Sequence, residues 1–246
     1  KSWMKSDAEQ VPIVFLNRSQ NAAEWDKLAS FWNESTQKVT DTVTGKQSDM
    51  AVVKIKVPLG LTQNPPVPVE NPMTVAKWNL GKKIYFDPIL SSNNTVSCAS
   101  CHNPTMGFTD QSMVSTGING NLGGMSSPSV YNSAFSLAQF WDGRAPTLEA
   151  QSQGPPQNPS EMFDGKGNAW DAAVERLRAK PEYVAMFKEV FGTLPTRDGA
   201  AKAMAAYERT VLTGNSIHDR TEVAMRKRVG EEETGKFEVL AKDYEK

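Results

Sequence analysis

Two cysteines and a histidine stand together at Cys98-Ala99-Ser100-Cys101-His102, and these are the only two cysteines in 246 residues. C-x-x-C-H is the attachment signature of a c-type haem. The two thiols add across the porphyrin vinyl groups, and the adjoining imidazole reaches the iron from the same loop. Two other chemistries use this cysteine spacing. A thioredoxin-like dithiol expects a βαβ setting, which the flanking sequence lacks. A zinc site needs two further ligands, and His218 is the only other histidine. Covalent haem is therefore expected, and with it a redox function and a periplasmic location, because haem is attached outside the bacterial cytoplasm.

With His102 on one side of the iron, the other side decides the function. A strong side-chain ligand there makes an electron carrier, and Met106, Met113, Met125 or Met162 could supply the sulfur. An open position admits peroxide or oxygen. A peroxidase then needs a group that moves a proton from one peroxide oxygen to the other, a polar neighbour that orients the peroxide, and a route for electrons.

The elements that must position this loop follow from periodicity. Trp25, Leu28, Ala29 and Trp32 fall at i, i+3, i+4 and i+7, which predicts a helix over Asn21–Glu34. Lys38–Asp49 is polar and reads as a loop. Met50–Val57 alternates weakly and reads as one short strand. Pro58–Pro72 holds five prolines and reads as an extended connector. A helix follows over Thr74–Phe86, capped by Thr74, with Trp78, Gly81 and Tyr85 on one face. Between Ser92 and Ser160 only Asp110, Asp142, Arg144 and Glu149 are charged, as suits a chain wrapped around a large apolar ring. Helices are expected over Ala169–Ala179, Pro181–Phe191 and Gly199–Leu212, with Pro181 in a first turn and Gly192 as a stop. In the charge-dense tail, Phe237, Leu240, Ala241 and Tyr244 make an apolar stripe that wants a partner.

The net charge of −1 gives no reason to expect nucleic acid or an anionic membrane as partner. No apolar run approaches the length needed for a membrane span. The chain starts at Lys1, in keeping with an export signal already removed.

Several stretches carry a resemblance. They are Leu80-Gly81-Lys82-Lys83-Ile84-Tyr85-Phe86-Asp87-Pro88, Ser97–Pro104 around the cysteines, and Gly107-Phe108-Thr109-Asp110. Further along come Gln139-Phe140-Trp141-Asp142-Gly143-Arg144-Ala145, Gln151, Gly154-Pro155 and Glu161-Met162. In this order, from about Pro58 to Arg220, the chain resembles the bacterial dihaem cytochrome c peroxidases, whose architecture the methylamine dehydrogenase maturation enzyme shares. The resemblance implies that Cys98 and Cys101 hold a haem c and that His102 is the proximal ligand of the peroxide-reacting haem. It implies that Glu161 is the acid–base carboxylate, Gln151 its polar companion and Trp141 the indole on the electron path. Hydrogen peroxide is the implied substrate, and a small cytochrome c or cupredoxin the implied donor. Oxidation of a partner protein, as by the maturation enzyme, is the rival activity, and a non-catalytic electron-transfer subunit is the other.

The chain departs from the family pattern at three places. Many members carry an iron-capping histidine in a Thr-Gly-His stretch; here Thr116-Gly117-Ile118 offers isoleucine, so the position should be open. Gly124-Met125-Ser126 replaces Gly-Arg-Asn, whose asparagine helps bind an interdomain calcium, so calcium is doubtful here. The family's second C-x-x-C-H is absent, so a second haem would lie on a further haem-bearing polypeptide, or electrons would come from a partner or homodimer. His218 reads as a surface or core histidine. The expected fold is mainly α: an extension and connector over 1–70, a cytochrome c-like haem domain over 71–168, and a helical segment of a second, incomplete domain over 169–246.

Overall fold

The computed structural model describes residues 10–40, 45 and 47–228. Two compact units divide the chain: Lys1–Pro12 with Pro66–Val211, and Ile13–Pro65 with Leu212–Lys246. The fold is mainly α, with one small sheet.

The sheet belongs to the second unit. Its strands are β1 (Ile13–Leu16), β2 (Trp32–Thr40) and β3 (Gln47–Lys56), in the order β1-β3-β2. β1 runs parallel to β3 and β2 antiparallel to it, with Ile13 opposite Val53 and Trp32 opposite Ile55. Ile13, Val52, Val53, Ile55 and Val57 are buried. The helix expected over Asn21–Glu34 is only α1, Ala22–Lys27. Asn21 caps it by accepting from the Glu24 amide, and Leu28 already has extended backbone. Trp32, placed on a helix by its spacing, instead opens β2. Nine residues of β2 pair with β3, and that long-range pairing outweighs local periodicity. The loop expected over Lys38–Asp49 is shorter for the same reason, since Lys38 pairs with Asp49 across the hairpin. The strand expected over Met50–Val57 lies almost wholly within β3. Helix α8 (Ile217–Arg228) completes the described part of this unit, and the stripe Phe237–Tyr244 lies outside the described residues.

The first unit holds the remaining helices: α2 (Val75–Phe86), α3 (Cys98–Cys101), α4 (Leu148–Gln151), α5 (Ala169–Arg178), α6 (Pro181–Phe191) and α7 (Arg197–Glu208). Thr74 caps α2 through the Lys77 amide. Pro181 opens α6, and Gly192 closes it in the left-handed region at φ 68°. α2 crosses α7 at very short range, because a Cβ on Gly81 would fall 1.8 Å from the Ala203 carbonyl oxygen. The small faces of Gly81 on α2 and of Ala200, Ala203 and Ala206 on α7 make that crossing possible, and all three alanines are fully buried.

Around the crossing Leu80, Ile84, Leu177, Tyr183, Phe187 and Met204 form one core, each contributing roughly 1.5–3 kcal/mol by burial. A second cluster of Tyr85, Phe108, Val130, Tyr207 and Val211 packs on the cysteine loop. Ser92–Ser160 contains only α3, α4 and short 3-10 turns. This run wraps a cavity instead of packing as regular elements.

Candidate haem cavity and active site

Ser97 starts α3, its amide donating to Ser100 Oγ at 3.0 Å. The four-residue helix brings Cys98 and Cys101 to one wall, and His102 ends it with its amide on the Cys98 carbonyl at 2.9 Å. The two cysteines form no disulfide, and burial pushes both thiols up from the ordinary range.

The imidazole is held by backbone. His102 Nδ1 lies 3.0 Å from the Pro128 carbonyl oxygen and 3.3 Å from that of Phe108. Carbonyls only accept, so Nδ1 carries the hydrogen and Nε2 keeps its lone pair for a metal. Burial holds the imidazole below its usual range, which keeps it neutral. The two carbonyls are aimed by their own loops. Gly107 and Phe108 both have positive φ, at 73° and 57°. The Pro128 segment is tied by Ser127 Oγ to the Cys101 carbonyl at 2.7 Å, and by Ser129 Oγ to the Gly107 carbonyl at 2.7 Å.

These residues line a cavity of about 480 Å³, within the usual range for pockets that bury an organic ligand. Gln151, Glu161 and Trp141 line it too, so all the residues expected to act on peroxide meet the cysteine loop in one space. Glu161 is half-buried. Burial raises its carboxyl above the ordinary range, while a 2.5 Å hydrogen bond from Asn158 Nδ2 and the charge of Arg144 work the other way. Gln151 ends α4, whose start is capped by Thr147. Trp141 is 62% exposed, and its Nε1 donates to the Ser126 carbonyl at 2.9 Å. The preceding Phe140 sits at φ 68°, uncommon for an aromatic residue, and carries the Arg144 guanidinium 3.6 Å from its ring centre.

Ile118 is fully buried in the core and not on the cavity wall, so the position where many members of the resembled family carry a histidine presents no side chain to the site. Of the four methionines, Met125 and Met162 line the cavity. Met113 is 88% exposed, and His218 is exposed on α8. Three wall residues escaped the sequence reading as site residues. Glu208, the last residue of α7, is buried there. Asn158 is the hydrogen-bond donor to Glu161. Arg144 faces the same carboxylate.

Residues 75–227 match the family described as di-haem cytochrome c peroxidase. The chain belongs to that family. It is 38% identical over 155 residues to cytochrome c peroxidase Ccp of Escherichia coli K12, covering 63% of this chain and 33% of that protein. It is 38% identical over 184 residues to the methylamine utilization protein MauG of Methylorubrum extorquens, covering 74% and 50%. Cytochrome c551 peroxidase of Nitrosomonas europaea is 39% identical over 156 residues, covering 63% and 46%. The chain thus spans a third to a half of these relatives. Among solved structures, a MauG-like protein associated with microbial copper homeostasis superimposes with a TM-score of 0.59 at 30% identity, covering 70% of this chain and 49% of that one.

The family's haem c fits this cavity. Two thiols and a tautomer-locked, neutral imidazole share one wall, and the cavity has the volume for an organic ring. Among the described residues no cluster of three or more His, Cys, Asp or Glu side chains could hold a bare metal. His102 is suited to iron whose other donors come from a macrocycle.

Proposed function

We propose that this chain is the peroxide-reacting part of a periplasmic c-type haem peroxidase, reducing hydrogen peroxide to two waters with two protons and two electrons from a small cytochrome c or cupredoxin. The observation that carries this reading is the meeting of Glu161 and Gln151 in the cavity walled by Cys98, Cys101 and His102. Cys98 and Cys101 would hold the haem c covalently and His102 Nε2 would bind its iron. The bound haem would supply the redox centre at which the O–O bond breaks.

Glu161 takes a proton from one peroxide oxygen and returns it to the other, so that the leaving oxygen departs as water. Its raised proton affinity suits a group that must hold a proton briefly at neutral pH. Gln151 orients the peroxide through its side-chain amide. Trp141 passes electrons inward from its exposed face. Any second haem belongs to a further polypeptide segment, a separate chain or a homodimer. Calcium has no asparagine at Ser126 to hold it. In this proposal residues 71–168 form the haem domain with 1–70 as extension, and 169–246, whose helices α5–α7 share one compact unit with the cavity, lead into a second domain.

Among the described residues no helix is long and apolar enough to cross a membrane. The likeness to MauG favours a second reading, oxidation of a partner protein through the exposed Trp141.

The test begins with an intact mass, which counts covalent haems. Glu161→Gln should then keep haem attached and slow peroxide consumption by about a hundredfold or more, the usual loss on removing a general acid–base. An unchanged rate removes Glu161 from the mechanism. Peroxide consumption with a small reduced donor and no modified partner rules out the second reading.

A further inference from the structure

Glu208 is 7% exposed, lies on the cavity wall, and among the described residues no protein donor reaches its carboxyl group. Arg209, the cation whose charge acts on it, gives its Nη2 to Glu149 at 2.7 Å and its Nε to the Pro66 carbonyl at 3.0 Å. Glu149 shows the contrast. It too is largely buried, yet Asn71 and Arg209 both meet its Oε1 and outweigh burial, so it stays below the ordinary carboxylate range. Burial without a partner pushes Glu208 up to about 8, with Glu149 adding to the rise and Arg209 opposing it. Two carboxyls with proton affinities driven apart mark different tasks. The groups facing Glu208 are Arg209 and Tyr207 beside it, Glu149 from α4, Tyr85 from α2 and Cys98 from α3. Cys98 would be a thioether in the haem-loaded protein and would no longer titrate beside Glu208.

We propose that Glu208 is a redox-linked proton site: it takes up one proton from solvent when one electron from an external one-electron donor reduces ferric iron in this cavity, and it releases that proton on reoxidation. This rests on the haem reading above. An added electron in a space of low polarity raises the proton affinity of a neighbouring carboxylate, and by linkage the bound proton eases reduction. The cavity opens to solvent past Met125 and Trp141, each 62% exposed, which gives the proton a path.

The experiment is a spectroscopic redox titration of the haem-loaded chain at a series of pH values, with an infrared redox-difference spectrum. In the wild type the midpoint potential should fall as pH rises between the two proton affinities of Glu208, and level off on either side. Reduction should raise a protonated-carboxyl band. Glu208→Gln should abolish the slope, hold the potential at the wild-type low-pH level because glutamine is always neutral, and remove the band. Glu161→Gln should keep both. A slope that persists in Glu208→Gln overturns the proposal while leaving the peroxidase reading intact. If that variant does not fold, the absence of the band from wild type overturns it alone. A purified chain without haem overturns both.

Discussion

Gly117 and Glu161 pass backbone against backbone: a Cβ added at Gly117 would lie 2.7 Å from Glu161 Cα and 2.1 Å from the Ser160 carbonyl oxygen. The next amide, Ile118 N, donates to the Glu161 carbonyl at 2.8 Å. With φ at −99°, Gly117 has a backbone conformation open to any residue, so it is space and not conformation that demands glycine. Gly117→Ala should therefore push the Glu161 segment away while leaving the cysteine loop alone. Haem content should be unchanged, stability should drop by about 1–3 kcal/mol, and peroxide turnover should fall by roughly a hundredfold, the scale of a displacement near 1 Å. Haem stoichiometry, thermal unfolding and steady-state kinetics on one preparation check all three.

The pH profile of turnover carries a signed prediction. In the proposed reaction Glu161 must be a carboxylate to accept the peroxide proton, so kcat/KM should rise with pH through its pKa. Burial places that pKa above the ordinary 4.5, and the Asn158 hydrogen bond and the Arg144 charge restrain the rise. Asn158→Ala removes a donor to the carboxylate and should move the acid limb to higher pH. Arg144→Gln should move it the same way. In both variants kcat/KM should recover toward wild type at alkaline pH, which a merely misfolded site would not do.

The sequence exposes what is local and hides what is made by distant contact. Cys98, Cys101 and His102 stand within one turn, so the haem chemistry proposed for them is readable from spacing. Thr74, Pro181 and Gly192 mark helix ends by their own backbone preferences, and the helices begin and end beside them. Trp32 misleads because helical spacing fits it equally well, and only its partner across the hairpin, Ile55, decides for a strand. The tautomer of His102 depends on carbonyls of Phe108 and Pro128, up to 26 residues away, and a carbonyl has no residue type. Glu208 sits in a helix beside a positive neighbour and looks like half of an ion pair, until Arg209 is seen to bind Glu149.

Among the described residues Trp141 is the one aromatic that both lines the cavity and stands largely in solvent, held by its hydrogen bond to Ser126. Trp141→Phe keeps a ring but loses the indole and its anchor. The first reaction with stoichiometric peroxide should proceed at the wild-type rate in stopped flow, because Glu161 and Gln151 are untouched. Refilling by a reduced donor should slow. A variant that refills normally would remove Trp141 from the electron path.

The ion pair of Arg209 and Glu149 ties the end of α7 to α4, the helix that ends at Gln151. Their side chains are 4% and 15% exposed, so neither charge is left to water. Arg209→Met strands a buried carboxylate and should destabilise the protein by about 3–5 kcal/mol at neutral pH. Glu149 has a lowered pKa in the folded protein, so its contribution to stability is present above the unfolded value and is lost as pH falls through the folded one. The gap between wild type and Arg209→Met should therefore narrow on acidification, because the stranded Glu149 becomes protonated. Adding Glu149→Gln to Arg209→Met removes the stranded charge and should restore part of the loss, so the double variant is less damaged than the sum of the singles. Urea unfolding of the haem-loaded proteins at neutral and mildly acidic pH measures both effects, and strict additivity would show that the pair does not hold α4 to α7.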